Sequence, residues 1–154
     1  MKRAASCSCG QLSVVCEGSP LFVSACHCKA CQRRTGSVFA VNAAFPTSNV
    51  EISGRGSSYT RAADSGRKVK FQFCPDCGTT VYWGVEARPE ATVVAVGAFA
   101  DPGFDAPIRT VWTESKHDWV RMPEGVPDHA KGVMPPPASR QKRSDSSERS
   151  SEAV

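Results

Sequence analysis

Residues 69–85, VKFQFCPDCGTTVYWGV, set a C-x-x-C between two runs in which apolar and polar residues alternate. A period of two marks half-buried strands, and Pro75 and Gly78 supply turn chemistry between them. The stretch reads as a hairpin carrying Cys74 and Cys77 at its tip. Two sulfurs three positions apart on a tight turn can grip one tetrahedral zinc, with Gly78 letting the backbone fold back toward them. A C-x-x-C is also the form of a redox pair, but that version precedes a helix in a βαβ pattern, and here strand-like sequence lies on both sides. Zinc is the preferred reading.

Outward from the hairpin the same alternation recurs. QLSVVCE (11–17) sets Leu12, Val14 and Cys16 on one face against Gln11, Ser13 and Glu17 on the other. LFVSA (21–25), SVFAVNAAF (37–45), VEIS (50–53), ATVVAVGAF (91–99) and IRTVWT (108–113) follow, with Gly, Pro, Asn or Asp between most of them. No window holds a long 3.6-residue period, so helix is expected only as a turn or two at residues 29–34, closed by Thr35 and Gly36. The expected class is mainly β, antiparallel, with little helix.

A chain of 154 residues, 40% hydrophobic, supports one domain with a real core. That domain is expected at residues 1–134. The last stretch, 135–154 (PPPASRQKRSDSSERSSEAV), has almost nothing apolar and reads as a disordered tail. The start, MKRAASCSCG, turns polar at once, and no run approaches the ~20 apolar residues of a membrane span, so a soluble, cytoplasmic protein without membrane partners is expected. A formal charge of +4 is thin for nucleic acid. Trp83, Trp112, Trp119 and Phe39 read as sheet core rather than as a base-stacking platform. Nucleic acid is therefore not an expected partner, and oligomeric state is left open.

Eight cysteines in a reducing compartment point to metal rather than disulfides. A knuckle at Cys74 and Cys77 supplies two ligands and structural zinc takes four, so Cys7 and Cys9 are the natural second pair, lying beside the hairpin as a neighbouring strand. Such a site staples distant parts of the chain and adds directly to folding stability. Cys26, Cys28 and Cys31 remain as a second set of three, the protein ligand number of catalytic zinc, whose fourth position is exchangeable.

Several residues compete for that fourth place. Cys16 is in phase with an apolar strand face, where a free cysteine is a small core residue. His27 lies between two ligand cysteines and, in extended chain, points away from the metal, into a supporting or surface role. His117 and His129 would have to reach back from the C-terminal part. The preferred reading leaves the place open for water or a substrate thiolate. Lys29, Arg33 and Arg34 surround the cluster; they either offset its charge and hold the carboxylates of an anionic substrate, or form a solvated basic turn. Arg67, Lys68 and Lys70 read as solvated charges at a strand start. No general acid or base is assigned.

The order CSCGQL (7–12), CHCKACQRRTGSVF (26–39), FCPDCGTTVYW (73–83) resembles the family of glutathione-dependent formaldehyde-activating enzymes, whose domain is shared with centromere protein V. The resemblance runs over about residues 6–125, taking in VVAVGAFADP (93–102) and, more loosely, RTVWTESKHDWV (109–120). It implies a β-tent fold of two antiparallel sheets, a structural zinc on Cys7, Cys9, Cys74 and Cys77, and a second zinc on Cys26, Cys28 and Cys31. At the second zinc, glutathione and formaldehyde would give S-hydroxymethylglutathione, a carbon–sulfur lyase reaction in reverse. The expected cofactor is zinc, two per chain, and the expected partner a small glutathione-like thiol. Cys16 departs from the family pattern. A non-catalytic zinc domain binding a thiol or a protein, and a zinc module for nucleic acid, are the alternatives.

Overall fold

A computed structural model describes residues 1–63 and 66–133. The expected tail at 135–154 and the domain boundary at 134 lie outside the described residues. The strands are β1 (Lys2–Ser6), β2 (Ser13–Glu17), β3 (Phe22–Cys26), β4 (Ala40–Pro46), β5 (Val50–Ser53), β6 (Ser57–Ala62), β7 (Lys68–Phe73), β8 (Thr80–Val85), β9 (Arg88–Ala95), β10 (Thr110–Val111) and β11 (Asp128–His129). One helix, α1 (Lys29–Thr35), follows β3, where the short turn was expected. The described residues are mainly β, in two sheets ordered β1-β2-β5 and β11-β10-β3-β4-β9-β8-β7-β6. No described helix is long and apolar enough to cross a membrane.

The sheets pack through their alternating apolar faces. Leu12, Val14 and Cys16 of the small sheet meet Val23, Ala43, Phe45, Val81 and Val94 of the large one in the principal core. Burying Phe45 completely contributes about 2–3 kcal/mol relative to exposure. The opposite face of the large sheet carries a ladder of directly opposed residues, Tyr59–Phe71–Trp83–Val93–Ala44–Phe22, one from each of β6, β7, β8, β9, β4 and β3. The central strands are thus covered on both sides, which is why AVNAAF and ATVVA read as nearly continuous apolar runs.

Some elements differ from the expectation. The strands β1 and β6 carry too little apolar alternation to stand out, yet each has a partner, Arg3 opposite Cys16 and Tyr59 opposite Phe71. Only Thr110–Val111 of IRTVWT is strand, and it runs parallel to β3 and β11, so this edge of the large sheet is mixed. Residues Val96–Phe99 turn into a 3-10 helix. Of the aromatics read as sheet core, Trp83 is buried there, whereas Trp112 and Phe39 are half-buried and Trp119 is 69% exposed beside His117.

Candidate metal centres

Two similar turns build the first centre. After β1, Cys7 N–H donates to Leu12 O (2.9 Å), Gly10 N–H returns to Cys7 O (3.0 Å), and Gly10 takes φ 79°. Between β7 and β8, Cys74 N–H donates to Thr79 O (3.0 Å), Gly78 N–H returns to Cys74 O (2.9 Å), and Gly78 takes φ 75°. That left-handed conformation favours glycine, and it tightens each turn around its sulfurs. The Ser8 and Thr79 hydroxyls join the turns at 2.9 Å. Cys7 and Cys9 were expected beside the hairpin as a neighbouring strand. They come instead from the small sheet, so the cluster bridges the sheets, because β1 pairs with β2 alone among the described strands.

The Sγ atoms of Cys7 and Cys9 are 3.5 Å apart and those of Cys9 and Cys74 are 3.6 Å apart. All four sulfurs of Cys7, Cys9, Cys74 and Cys77 lie within 4.8 Å of one another. The edge of a tetrahedron with Zn–S of about 2.3 Å is about 3.8 Å, so the set fits a zinc ion. Hydrogen bonds from the Thr79 hydroxyl and N–H push the Cys77 thiol down to about 5. The Gln11 N–H favours a thiolate at Cys9, but the neighbouring Cys7 and Cys74 sulfurs override it and push Cys9 up to about 12. Crowded thiols cannot all ionise without a cation among them.

The second centre forms where β3 runs into α1. Cys26 ends the strand; Cys28 caps the helix, its Sγ accepting from Cys31 N–H at 3.3 Å; and Cys31 lies on the buried face of the first turn. Gly36, at φ 69°, ends the helix as expected, and the Thr35 hydroxyl donates to Cys31 O (2.9 Å). The three sulfurs lie within 4.8 Å of one another, 7–9% exposed, walled by Ala30, Ala40, Val111 and Trp112. Among the described residues no fourth cysteine, histidine or carboxylate joins this group. Hydrogen bonds from the Cys26 and Cys31 thiols, then Cys31 N–H and the Arg61 charge, hold Cys28 well below the usual thiol range, while Cys26 is pushed far up. Three cysteine sulfurs within 4.8 Å of one another are a donor set that fits a soft divalent cation.

The candidate fourth ligands lie elsewhere. Cys16 is fully buried in the principal core, and desolvation pushes its thiol up to about 11. His27 is fully buried against Phe39, so the surface role considered for it is excluded: its main chain bonds Val111 O and fixes the ring inside. Neither of its ring nitrogens has a partner among the described residues, and burial, then Lys116, keeps it below the ordinary imidazole range. His117 Nε2 is 3.3 Å from Gln32 Oε1, and His129 sits in β11. Gln32 Nε2 donates to His27 O (2.8 Å) and Ser115 O (3.0 Å), tying the second centre to the C-terminal segment.

Two cavities flank the centres. One of about 820 Å³ runs from Cys7, Cys77 and Thr79 to Arg34, Thr35 and Phe39. The other, about 620 Å³, is lined by Ala30, Arg33, Arg34, Tyr59, Arg61 and Phe71, with Phe73, Gly78 and Thr80. Arg34, Gly78 and Thr80 line both. Neither cavity is lined by Cys26, Cys28 or Cys31; Ala40, which lines the larger, and Ala30, which lines the smaller, pack on that cluster. Lys29 is exposed and lines neither. Tyr59 and Arg61 were not anticipated, since nothing in SSYTRA links it to a cysteine cluster; the signal is the register that sets Tyr59 opposite Phe71.

The model of the family described as glutathione-dependent formaldehyde-activating enzyme matches residues 2–115. A solved structure of a Rhodobacter sphaeroides protein has a similar fold, with a TM-score of 0.51 and 23% identity over 66% of this chain and 90% of that one. None of the curated proteins matches this chain. Extending through both cysteine clusters and most of both sheets, the family match places this chain in the glutathione-dependent formaldehyde-activating enzyme family.

Proposed function

We propose that residues 1–134 form a zinc-dependent enzyme of carbon–sulfur lyase type. It joins a glutathione-like thiol to formaldehyde, or a related thiol–aldehyde pair, at Cys26, Cys28 and Cys31. The observation that carries this reading is the group of three buried sulfurs within 4.8 Å, without a fourth protein ligand among the described residues. Membership of the family supports it. When bound, zinc makes a coordinating thiol available as the thiolate at neutral pH.

The chain's own residues do the rest. Cys26, Cys28 and Cys31 hold the metal; Ala40, Val111 and Trp112 keep bulk water from the sulfurs. Cys7, Cys9, Cys74 and Cys77 hold the structural zinc that joins the sheets. Arg33 and Arg34 attract and orient a carboxylate of the thiol, and Lys29 adds positive charge at the helix start. In the addition a C–S bond forms between the thiol sulfur and the formaldehyde carbon. The C=O π pair moves to oxygen, and the thiol's proton ends on that oxygen.

Zinc-edge anomalous scattering with and without glutathione, together with initial rates of adduct formation, tests this. Two zinc ions per chain, a glutathione sulfur at the second, and a rate above that in solution which Cys28→Ser abolishes, are expected. An unchanged rate and zinc content in Cys28→Ser overturns it. A second reading, a non-catalytic zinc module, is favoured by the absence of the three sulfurs from both cavity linings. A second zinc unmoved by glutathione, with no catalysed rate, would establish it.

A further inference from the structure

We propose that Arg88 and Arg109, gathered over the ring of Phe22, form a binding site for a phosphate group, separate from both metal centres and independent of the reaction proposed above. Phe22 opens β3, Arg88 opens β9, and Arg109 runs beside β3 just before β10, its carbonyl accepting from Ala25 N–H at 3.1 Å. The Arg109 guanidinium lies 4.1 Å from the Phe22 ring centre and that of Arg88 lies 5.1 Å from it. Stacking on a ring occupies a guanidinium face and leaves its N–H edges for a ligand.

Two like charges share this ring with nothing opposite them. Among the described residues the ion pairs join Arg3 to Asp105, Arg55 to Asp76 and Lys116 to Asp128, so neither arginine has a carboxylate. Arg109 Nε is buried and has no hydrogen-bond partner there, a donor that a bound anion would satisfy. Burial, then the Arg88 charge, pulls Arg109 below the ordinary guanidinium range. The surroundings add positive charge: Arg88 lines a cavity of about 420 Å³ with Lys68 and Lys70, whose one carboxylate, Glu86, accepts from Lys68 N–H at 2.8 Å.

The anion that matches is a phosphate. A carboxylate has two oxygens, which one guanidinium fork fills, leaving the second cation unmatched. A phosphate monoester brings nearly two negative charges and three acceptor oxygens, enough for both forks. The place is distinct from the cavities beside the metal centres, neither of which Arg88 or Arg109 lines. Val93 and Ala44 stand between Trp83, under Arg34, and Phe22. Three strand spacings, roughly 14 Å, therefore separate the two groups of arginines.

Calorimetric titration of the full chain with inorganic phosphate, and then with glycerol 3-phosphate, tests this. Saturable binding is expected, weakening as salt is raised, with sulfate competing and acetate failing to compete at equal concentration. Arg109→Gln and Arg88→Gln should each weaken binding ~10-fold or more, the lysine variants falling in between. Arg33→Gln, in the cavity beside α1, should leave it unchanged. Both arginines of the site are half-buried, so circular dichroism and zinc content of the glutamine variants should match wild type; should Arg109→Gln fail to fold, Arg88→Gln decides. Tighter binding of glycerol 3-phosphate supports an organic phosphate as the ligand, and tighter binding of inorganic phosphate supports the free ion. No saturable binding, binding that a folded glutamine variant leaves unchanged, or binding that Arg33→Gln abolishes overturns the site. A missing thiol–aldehyde reaction does not touch it, since none of these readouts passes through the metal centres.

Discussion

The Sγ atoms of Cys9 and Cys74 lie 3.6 Å apart although 65 residues separate them in the chain. Cys9 follows the first strand of the small sheet and Cys74 sits at a hairpin tip of the large one, so a metal held there ties the two layers together. The second cluster lies within one β3–α1 corner and closes only a local loop. Loss of the long-range tie should therefore be felt across the molecule. A cross-link around a loop of that length is worth about 4 kcal/mol. On this basis, and with the two zinc ions proposed above, Cys74→Ser should lower the melting temperature by roughly 10 °C and remove one of them. Cys28→Ser should remove the other with a much smaller thermal shift. Equal shifts in a calorimetric scan would contradict this division of roles.

Gly54 should tolerate no side chain. Its φ of 91° is left-handed, and a Cβ there would lie 1.8 Å from Gln11 O. Gln11 in turn clamps the neighbouring loop, donating to Arg55 O at 3.0 Å and accepting from Arg55 N–H. Gly54→Ala should cost at least ~2 kcal/mol in denaturant unfolding. Gly84→Ala, where no atom lies within 4 Å of the added Cβ, is the control and should stay within ~1 kcal/mol. Matching unfolding midpoints would show that the loop yields to the added methyl.

Much of this was legible in the sequence because the signals are local. The Cys74–Cys77 knuckle, the apolar face holding Cys16, and the short helix closed by Gly36 each depend on residues a few positions apart. The strand β6 was illegible because SSYTRA has no apolar face of its own; Tyr59 and Arg61 gain their meaning from β7 beside them. Likewise the choice between a supporting and a surface role for His27 stayed open, since nothing in sequence announces that Val111 and Phe39 close over it. Trp119 misled in the opposite direction: a tryptophan read as sheet core stands in a charged segment outside every described sheet.

Cys16 should give the fold an alkaline limb. Burial raises its thiol from 9.0 to about 11. A raised value means the folded form holds its proton where the unfolded chain has lost it. The contribution is therefore full below pH ~9, falls as pH rises, and is lost above pH ~11. Cys16→Val, similar in size, should flatten that part of the stability-versus-pH curve measured by urea unfolding. A wild-type curve already flat there would show that burial does not hold the Cys16 proton, and a decline that Cys16→Val leaves unchanged would assign the alkaline loss to another group.

Gln32 should act on the second centre without touching its sulfurs. Its side-chain N–H groups reach His27 O and Ser115 O, and its carbonyl oxygen faces His117 Nε2, so one amide fixes the Cys26–Cys28 turn against the C-terminal segment. Partners of this kind hold ligand geometry, and their loss typically weakens metal binding 10–100-fold. Gln32→Ala should therefore release the second zinc to a competing chelator at ~10-fold lower chelator concentration, with the staple zinc unmoved. Gln32→Glu keeps the acceptor for His117 but loses the donors to both carbonyls, so it should fail as Gln32→Ala does. If Gln32→Glu instead held zinc like wild type, the contact with His117 would be the one that orients the site.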